Sequence, residues 1–597
     1  MAQPRRRTFI WHFESPPEAI WPILADTARF NEAAKLPKHT IEEIPRADGS
    51  VLYIGRARKG PFALEWREKP VNWVANRWFE HCRYFRTGPL RSLCARFVLR
   101  PEGAGSRGEY TIEGAPANPI GRLMLRTGFF ASAGRTFGAL ADDARRFASG
   151  ESQVPFGFRP PDAGPETRTK VATMVVRIEE SGHGHGLAQR LADHVLTAQE
   201  VDLVHLRPLK LARDWGVDER RVIELCLEAV RAGLLDLRWD LLCPRCRIPK
   251  AAVGSLDKLP EGAHCATCNI DYGRNFSKNV ELSFNPAPAV RAIGAGEYCL
   301  FGPMSTPHIW IHLTLEDGTR RKVAAGLPPG PYRLRALEPG PELDITWDRG
   351  GFPEVILEAN AVRAGPAAES GQVVLTNRSG RERTVVVEER HWVRDALTAD
   401  RVTAMQAFRD LFSDQVLRPG DEVSIKRVAL MFTDLRGSTA LYSAVGDANA
   451  YHLVREHFAF LAGVVRAHNG AVVKTIGDAI MAAFIDPADA LRAALRVQRE
   501  VAAFNARSGG RAIVIKLGLH EGPSIAVNLN GRLDYFGTTV NMAARLQGES
   551  HGGDIVLSQV FSENSAVRRL VDPFDPVREW TALKGFEEPV AFLRLRP

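Results

Sequence analysis

The sequence predicts a multidomain α+β protein, and three observations carry this prediction. The chain has 597 residues, several times the roughly 100 to 200 residues of a typical domain. Hydrophobic residues make up 45% and charged residues 25%, which is ordinary globular composition. Segments with a strand period and segments with a helix period alternate along the whole chain. We therefore expect consecutive parts at 1–150, 151–195, 196–242, 243–278, 279–395, 396–424 and 425–597.

Charge and hydropathy restrict the possible partners. Lys+Arg total 78 against 70 for Asp+Glu, a formal net charge of +8. Residues 1–150 hold 24 basic and 15 acidic residues, so the rest of the chain is nearly neutral and nucleic acid is an unlikely partner. No run of about 18 uncharged apolar residues occurs, and the N-terminus has no signal-peptide pattern. These features predict a cytoplasmic protein without a membrane span.

Residues 1–150 read as one α+β unit. Strand-like runs such as VLYIGRA, FALEWRE and ARFVLRP lie between helical candidates at 17–30 and 121–147. A strand, helices, a strand meander and a long last helix resemble the START-like helix-grip fold. That resemblance implies an apolar cavity under the last helix, and it leaves two interpretations open. The unit is either a sensor of a small hydrophobic ligand or a packing domain with a filled core.

The next two parts differ in composition. Pro and Gly are frequent in 151–195, which predicts a linker and makes His183 and His185 linker residues rather than metal ligands. Residues 196–242 predict two helices around Gly216, the second capped by Asp218, followed by a strand. This order is typical of a winged helix. Acidic residues interrupt the basic face that a DNA-reading helix would need, so DNA binding is the weaker interpretation.

Residues 243–278 contain two CxxC pairs, at Cys243 with Cys246 and at Cys265 with Cys268. This spacing is typical of a zinc ribbon, in which four thiolates surround one tetrahedral ion. Four protein ligands leave no open position for water, so one structural Zn²⁺ is expected. The other cysteines are expected to be buried apolar residues rather than disulfide partners, because the metal pattern favours a reducing compartment; they are Cys82, Cys94, Cys226 and Cys299.

Residues 279–395 are strand-like and predict a β-sandwich, with hairpin signals at 316–318 and 377–380. Residues 396–424 predict a coupling helix and linker, because apolar residues recur at a helical period and Pro419 and Gly420 follow. The periodic positions are Val402, Met405, Phe408, Leu411 and Phe412. A helix here would connect the upstream parts to the C-terminal domain.

Four motifs in 425–597 carry chemistry. Asp434 ends an apolar strand, and the segment AVVKTIGDAIMAAF predicts a hairpin with Asp478 at its tip. Two such carboxylates could share Mg²⁺ ions. Asn541 and Arg545 are four residues apart on a predicted helix, where an amide and a guanidinium suit a ribose and a phosphate. Lys584 lies on a predicted turn between strands and could reach a terminal phosphate.

FTDLRGST, KTIGDAIMAAF, DYFGTTVNMAAR and LKGFEEPV resemble, in order and spacing, the class III nucleotidyl cyclase catalytic domain. The resemblance implies a ferredoxin-like βαββαβ core and a head-to-tail homodimer with shared active sites. It implies that Asp434 and Asp478 bind two Mg²⁺ or Mn²⁺ ions per site and that Lys474 and Asp534 read the base. It further implies that Asn541 orients the ribose, Arg545 stabilises the α-phosphate and Lys584 holds the terminal phosphates.

The base-reading pair favours ATP. Adenine presents an acceptor at N1 and a donor at N6, which a Lys donor and an Asp acceptor complement. Members of the family that use guanylate generally carry Glu at the position of Lys474. The sequence therefore predicts an adenylate cyclase regulated by its upstream parts. A guanylate cyclase, a catalytically silent nucleotide sensor and a DNA-binding regulator acting through the winged helix are the alternatives.

Overall fold

The fold is described from a computed structural model, which covers residues 3–60, 62–294, 296–299, 301–390, 395–438, 440, 446–507 and 512–597. Five sheets are present in these residues, the largest with twelve strands and the next, in the C-terminal domain, with eight. Among the described helices, none combines the length and the hydropathy that a membrane span requires.

The N-terminal unit contains the predicted strands, the two short helices after the first strand and the long last helix. Its elements are β1 (Arg5–Phe13), α1 (Pro17–Leu24), α2 (Thr27–Ala33), β2 (Thr40–Pro45), β3 (Val51–Lys59), β4 (Phe62–Glu68), β5 (Asn72–Val74), β6 (Trp78–Phe85), β7 (Leu90–Glu102), β8 (Gly105–Pro116), α3 (Pro119–Thr127) and α4 (Phe129–Ala148). Helices α1 and α4 pack against the β1–β8–β7–β6 sheet.

Aromatic side chains fill the space between this sheet and its helices. Phe30 lies 5.1 Å from Phe137 between ring centroids, and Phe97 is 1% exposed. The cavity left among these rings has a volume of about 20 Å³, lined by Trp11, Leu24, Thr27, Phe30, Asn31, Phe79, His81, Phe97 and Tyr110. That volume holds about one water. This observation favours the filled-core interpretation over a ligand cavity.

One prediction about the cysteines is wrong. Cys82 and Cys94 form a disulfide between β6 and β7, where they are directly opposed with a Cα–Cα distance of 4.1 Å. Both were expected to be buried thiols. Their pairing depends on the register of two strands, which composition and local pattern do not reveal. Cys226 is buried with a free thiol, as predicted.

The predicted linker at 151–195 is largely helical. Helices α5 (Pro165–Glu180) and α6 (Ala188–Thr197) occupy much of it, and 151–164 and 181–187 lack regular structure. Val171 and Ile178 of α5 are 4% and 0% exposed and belong to a large apolar core. Pro165 begins α5 and the glycines at 182–186 lie between the two helices, so these residues bound the helices rather than exclude them, while the other prolines lie in the irregular stretch 151–164.

The middle of the chain has the two helices predicted around Gly216. The elements are α7 (Glu200–Leu203), α8 (Pro208–Trp215), α9 (Glu219–Ala232), β9 (Leu235–Leu242), β10 (Pro249–Val253), β11 (Gly262–Cys265), β12 (Ile270–Gly273) and β13 (Val280–Pro286). Asp218 caps α9 by accepting the Arg221 N–H at 3.2 Å, and Gly216 has φ 65°. Helix α9 packs against α5 and the coupling segment, which does not leave it positioned as a DNA-reading helix.

Two sheets pack face to face in the β-rich part, as expected for a sandwich. The strands are β14 (Ile309–Leu315), β15 (Arg320–Ala324), β16 (Gly330–Ala336), β17 (Glu342–Trp347), β18 (Pro353–Glu358), β19 (Val362–Ala367), β20 (Gln372–Arg378) and β21 (Arg383–Glu389). The order β14–β21–β16–β17 continues the N-terminal sheet through β5, and β15–β20–β18–β19 forms the second sheet. Strand β13 falls inside the predicted sandwich boundary but pairs with β9.

Neither predicted hairpin in the sandwich is a hairpin. The turn at 316–318 joins β14 to β15, and the turn at 377–380 joins β20 to β21, but each pair of strands lies in different sheets. The two turns bind each other, since the Gly380 N–H donates to Asp317 Oδ1 at 2.8 Å and Asn377 Nδ2 donates to the Leu315 carbonyl at 2.9 Å. Turn chemistry predicts a chain reversal without determining which strands pair.

The coupling segment is two short helices rather than one. They are α10 (Ala399–Thr403) and α11 (Gln406–Leu411). The break follows Thr403, whose hydroxyl donates to the Ala399 carbonyl at 2.7 Å and whose carbonyl accepts Arg409 Nε at 2.7 Å. A Thr hydroxyl bonded to its i−4 carbonyl often bends a helix. Residues 391–394, just before this segment, lie outside the described residues.

The C-terminal domain has the predicted βαββαβ core followed by further elements. They are β22 (Glu422–Leu435), α12 (Asp447–Ala467), β23 (Ala471–Ile476), β24 (Ala479–Phe484), α13 (Pro487–Arg507), β25 (Ile515–Leu529), β26 (Arg532–Phe536), α14 (Thr538–Glu549), β27 (Ile555–Ser558), α15 (Gln559–Glu563), α16 (Ser565–Val571), β28 (Val577–Thr581) and β29 (Val590–Leu595). The sheet order β23–β24–β22–β25 and its antiparallel pairings are those of a ferredoxin-like core. Short 3₁₀ turns lie at Leu256–Lys258, Pro303–Ser305 and Asp572–Phe574.

The two faces of this sheet are buried against different partners. Ala429 and Met431 of β22 pack in a core with α12 and α13, whereas Leu430 and Phe432 pack in the core that contains α9, β9 and the coupling segment. Alternation along a strand produces this division. The parts predicted as separate at 196–242, 396–424 and 425–597 therefore share one apolar core.

Candidate active site

Asp434 and Asp478 come together at one end of the C-terminal sheet. Asp434 is the penultimate residue of β22, and Asp478 occupies the two-residue turn between β23 and β24. The predicted hairpin around this turn is confirmed, and Gly477 adopts φ 62°, a conformation that favours glycine. The Leu435 N–H donates to Asp478 Oδ2 at 3.3 Å, which holds the turn beside the end of β22. Thr439 and residues 441–445, between Asp434 and α12, lie outside the described residues.

The electrostatics of this pair suit a cation. Burial raises the pKa of Asp434, and the neighbouring Asp478 carboxylate raises it further. The Leu435 N–H and Lys516 act in the opposite direction. Two neighbouring carboxylates are an oxygen ligand set of the kind Mg²⁺ and Mn²⁺ use. These residues could therefore hold divalent metal, and a bound cation would relieve their repulsion.

Lys516 is a residue that sequence reasoning missed. It lies on β25 directly opposite Asp434 in the β22–β25 ladder, and its Nζ donates to the Gly548 carbonyl at 3.0 Å. Its charge lowers the pKa of Asp434 against the effect of burial. Only the strand register brings it there, so no local motif could have indicated it.

Lys474 and Asp534 form an ion pair. Lys474 Nζ donates to Asp534 Oδ2 at 2.5 Å, and the Tyr535 N–H donates to Asp534 Oδ1 at 2.7 Å. The Asp534 side chain is 8% exposed and that of Lys474 is 34% exposed. Strand β23 carries the lysine and β26 carries the aspartate, so two elements distant in sequence present a donor and an acceptor side by side.

Helix α14 presents Asn541 and Arg545 to solvent. The two residues are one helical turn apart, as predicted, and both are exposed, while Ala543 and Leu546 of the same helix are fully buried. Neither polar side chain has a hydrogen-bond partner in the part of the chain that the structure describes. The helix thus buries one face on the sheet and leaves an amide and a guanidinium available.

Lys584 lies on the predicted turn between β28 and β29 and is exposed. The residue before it, Leu583, is 4% exposed and packs in a cluster with Leu546 of α14 and with Phe592. This packing fixes the turn beside α14. The ammonium of Lys584 is therefore exposed on a turn that packs against α14 through Leu583.

The coupling segment contacts the strands that carry Lys474 and Asp534. Gln406 Oε1 accepts the Val472 N–H at 2.8 Å, and Arg409 Nη1 donates to the Leu533 carbonyl at 2.9 Å. Asn528 Nδ2 donates to the Leu417 carbonyl at 2.6 Å. The sequence predicted a coupling role for this segment but did not identify these contacts, because they depend on tertiary placement.

The four CxxC cysteines converge on one point. Their Sγ atoms all lie within 4.8 Å of one another, each residue is buried, and Cys246 Sγ is 3.7 Å from Cys265 Sγ. Zinc–sulfur bonds of about 2.3 Å in a tetrahedron separate the sulfurs by roughly 3.8 Å. The cluster therefore fits a tetrahedral zinc ion.

Two family models match the chain. Residues 421–569 match the adenylate and guanylate cyclase catalytic domain, and residues 172–300 match a family of unknown function, DUF5939. The C-terminal region therefore carries a class III adenylate/guanylate cyclase catalytic domain. The second match begins inside α5, within the segment that the sequence predicted to be a linker.

The curated relatives match about a quarter to a third of this chain. The chain is 32% identical over 199 residues to an adenylate cyclase of Lachancea kluyveri, a match that covers 29% of this chain and 11% of the relative. It is 29% identical over 165 residues to an adenylate cyclase of Anabaena cylindrica, covering 25% of this chain and 32% of the relative. In both cases the match spans less than half of the relative's length.

Solved cyclase structures also match part of this chain. An adenylyl cyclase from P. aeruginosa is 21% identical with a TM-score of 0.26, and the match covers 29% of this chain and 95% of that one. A guanylate cyclase domain from Catenaria anguillulae, in complex with GTP, is 22% identical with a TM-score of 0.26, covering 29% of this chain and 97% of that one. Likeness at this level does not distinguish the two nucleotides.

Proposed function

We propose that the protein is an adenylate cyclase, which converts ATP to 3′,5′-cyclic AMP and pyrophosphate. The observation that supports this proposal is the pair formed by Lys474 and Asp534, a donor 2.5 Å from an acceptor. Adenine N1 would accept from Lys474 Nζ while its N6 amino group donates to Asp534. The Tyr535 N–H holds the other carboxylate oxygen, so Asp534 is oriented before the base arrives.

In the proposed reaction the ribose 3′-oxygen forms a bond to the α-phosphorus and the bond to the bridging oxygen of pyrophosphate breaks. The 3′-hydroxyl proton is lost to solvent. Asp434 and Asp478 would hold two Mg²⁺ or Mn²⁺ ions, which when bound supply Lewis-acid stabilisation of the phosphate charge. Asn541 would orient the ribose, Arg545 would neutralise the α-phosphate and Lys584 would hold the terminal phosphates. Catalysis then comes from positioning and electrostatic stabilisation.

The proposal includes a homodimer with shared sites. Asp434 and Asp478 would come from one protomer, while Lys474, Asp534 and the α14 residues come from its partner. Asn541, Arg545 and Lys584 are exposed and have no side-chain partner among the described residues. This supports the arrangement, because such groups are free to contact a substrate that is held between two chains. One chain contains every position, so a homodimer would hold two complete sites.

Regulation by the upstream parts is the second element of the proposal. Gln406 and Arg409 bond to the backbone next to Lys474 and Asp534, so a shift of the coupling segment would move the base-reading pair. Small shifts between packed elements change shared sites strongly. The START-like N-terminal unit and the winged-helix region would act through this contact. The filled aromatic core of the first unit supports a packing role over ligand binding.

A structural zinc at the four cysteines completes the proposal. With all four positions taken by Sγ atoms, the ion would be closed to substrate and would stabilise the fold. Exhaustive chelation should lower the unfolding midpoint of the full chain, and one equivalent of Zn²⁺ should restore it. Retention of the midpoint after complete zinc removal would refute the structural role.

The base assignment is tested by replacing Lys474 with Glu. Lys474→Glu places an acceptor beside Asp534, which no longer complements adenine but can accept from guanine N1–H and N2–H. We expect the kcat/KM for ATP to fall about 100-fold or more and the ratio of cyclic GMP to cyclic AMP to rise. Lys210→Glu, at a surface pair with Asp214, is the matched control and should leave both values unchanged. An unchanged preference for ATP in Lys474→Glu would contradict the assignment.

A further inference from the structure

His183, His185 and Glu224 lie together at the start of α6 and the side of α9. Nε2 of His185 is 2.9 Å from Glu224 Oε2, and Nδ1 of His183 is 3.8 Å from the same oxygen. All three ligand atoms lie within 4.8 Å of one another. The composition of 151–195 predicts linker residues here, but both rings lie beside one carboxylate.

We propose that these three side chains bind a divalent transition-metal ion. Bonds of about 2.0 to 2.2 Å to imidazole nitrogen and carboxylate oxygen separate tetrahedral ligand atoms by roughly 3.3 Å. The two measured separations, 2.9 and 3.8 Å, bracket that value. Two imidazoles and one carboxylate suit Zn²⁺ and its neighbours rather than Mg²⁺ or Ca²⁺, which prefer oxygen ligands. The remaining coordination positions are left to water.

The loop that carries the histidines is held in place before any ion binds. Glu179 accepts the N–H groups of Gly186 and Ala188 at 3.0 and 2.8 Å. A Cβ at Gly184 would lie 2.4 Å from Glu179 Oε2, so only glycine allows this approach. His185 itself adopts φ 54°, a left-handed conformation that is strained for a residue other than glycine. The loop keeps this strain while it turns both rings toward Glu224.

The carboxylate is also fixed. Glu224 is 7% exposed, and Arg220 Nε donates to its Oε1 at 2.8 Å, which leaves Oε2 facing the histidines. The same guanidinium donates to the Arg466 carbonyl at 2.8 Å and to Asn469 Oδ1 at 2.9 Å, in the catalytic domain. The site therefore lies where the upstream helices contact the connection between α12 and β23. It is separate from the Asp434–Asp478 pair and from the four cysteines.

Zinc binding by the full-length chain tests the proposal. The protein is equilibrated with buffered free Zn²⁺ in excess Mg²⁺, so that Mg²⁺ occupies the catalytic carboxylates, and bound zinc is counted by atomic spectrometry. His183→Phe removes one ligand nitrogen without removing any side-chain hydrogen bond that the structure describes. At free Zn²⁺ concentrations that fill the wild-type site, we expect the wild-type chain to bind one equivalent more than His183→Phe. The variant should bind that equivalent about 100-fold or more weakly than the wild type does.

The control is His12→Phe, at an exposed His–Glu pair whose Nδ1 is 2.7 Å from Glu102 Oε2 but which has no second histidine. It should bind as much zinc as wild type. Zn²⁺ should also raise the unfolding midpoint of wild type and of His12→Phe more than that of His183→Phe. Equal zinc binding by wild type and His183→Phe at every free concentration would overturn the proposal, as would an equal loss in His12→Phe.

Discussion

Asp434 and Asp478 illustrate how single residues prepare the candidate site. Asp434 lies at a strand end and Asp478 at a hairpin tip. Burial and the nearby Asp478 carboxylate both destabilise the charged form of Asp434. The chain retains the pair with only Lys516 opposite Asp434 as a nearby cation in the β22–β25 ladder. A divalent ion removes this cost, which is the physical reason to assign metal binding to these residues.

Replacing Asp434 tests that assignment directly. Asp434→Asn removes one charged ligand, so Mg²⁺ or Mn²⁺ should raise the unfolding midpoint of wild type more than that of the variant. Cyclase activity should fall about 100-fold or more, because the loss of several kcal/mol of charge stabilisation slows the reaction by that factor. Thermal unfolding with and without metal and a rate assay provide the two readouts.

Asp572→Asn, at an exposed position, serves as the matched control and should change neither readout. A variant at Asp434 that kept the full metal-induced shift would show that this carboxylate is not a ligand.

The residues that local patterns reveal are those at element ends. Asp434, Asp478 and Lys584 follow from strand and turn chemistry, and the pair on α14 follows from helical spacing. Lys516, the Cys82–Cys94 disulfide and the Glu224 partner of the two histidines do not. Each depends on which strands or helices become neighbours, and that information is not local.

Among the elements, the coupling segment connects most directly to the site. Its helix α11 buries Phe408, which is 2% exposed and lies 6.0 Å from the Trp239 ring in an edge-to-face contact. Trp239 Nε1 in turn donates to Gln415 Oε1 at 3.0 Å, so two positions of the segment contact the same residue of β9. Of the periodic positions, Val402 and Phe408 are buried, whereas Met405, Leu411 and Phe412 are half-buried. The period did not indicate the break after Thr403, where side-chain hydrogen bonds form.

Phe408→Ala should therefore loosen this contact. Truncating a buried Phe costs about 3–5 kcal/mol of unfolding free energy, and the cavity would lie between the coupling segment and β9. We expect a lower unfolding midpoint and a changed KM for ATP. Phe412→Ala is the matched control, because Phe412 stacks on Phe408 but is only half-buried. Equal effects of the two variants would contradict a specific role for Phe408.

A buried histidine joins the N-terminal sheet to the sandwich. His312 of β14 pairs with Trp73 of β5 and stacks on its ring at 4.3 Å, and its Nδ1 lies 2.7 Å from the Val71 carbonyl. Burial lowers the pKa of His312 to about 3, and the Val71 carbonyl acts against this shift. The unfolded chain has an ordinary histidine pKa of about 6.5 at this residue. At pH values between about 3 and about 6.5 it therefore binds more protons there than the folded chain does.

Stability must consequently fall as the pH drops below about 6.5. His312 alone should contribute a loss of about 3 kcal/mol between pH 7.5 and 4.5. His312→Gln can still donate to the Val71 carbonyl but cannot be protonated, so its acid loss should be smaller by that amount. Denaturant unfolding at several pH values measures the difference, and parallel losses in the two proteins would contradict the assignment.

On the scale of the whole molecule, the predicted parts are joined more closely than a division into separate units suggests. The βαββαβ core followed from the resemblance that the four motifs of 425–597 carry. Composition and local period did not reveal how the parts join. The N-terminal sheet continues into the sandwich through β5 and β14, and one core joins α9, β9, the coupling segment and β22. Such joins arise from tertiary pairing, which linker composition cannot report.

A shared-site dimer predicts complementation between inactive chains. Asp434→Ala lacks a metal ligand and Asn541→Ala lacks the ribose contact, so each homodimer should be inactive. A mixed dimer would contain one site with both defects and one intact site. Mixing equal amounts should therefore restore about a quarter of the wild-type rate, because roughly half of the dimers are mixed and each has one active site of two.

The control mixes Asp434→Ala with Asp478→Ala, whose defects fall in the same half of the site. That mixture should stay inactive. Failure of the first mixture to recover, with heterodimers demonstrated, would contradict sharing between chains.

The central claim is that this chain cyclises ATP. The most direct measurement incubates the purified full-length protein with equal concentrations of ATP and GTP in Mg²⁺ or Mn²⁺ and identifies the products by mass spectrometry. We expect cyclic AMP in excess over cyclic GMP, with one pyrophosphate released for each cyclic nucleotide and no product from Asp434→Asn. Cyclic GMP in excess, or nucleotide binding without any cyclic product in either metal, would contradict it.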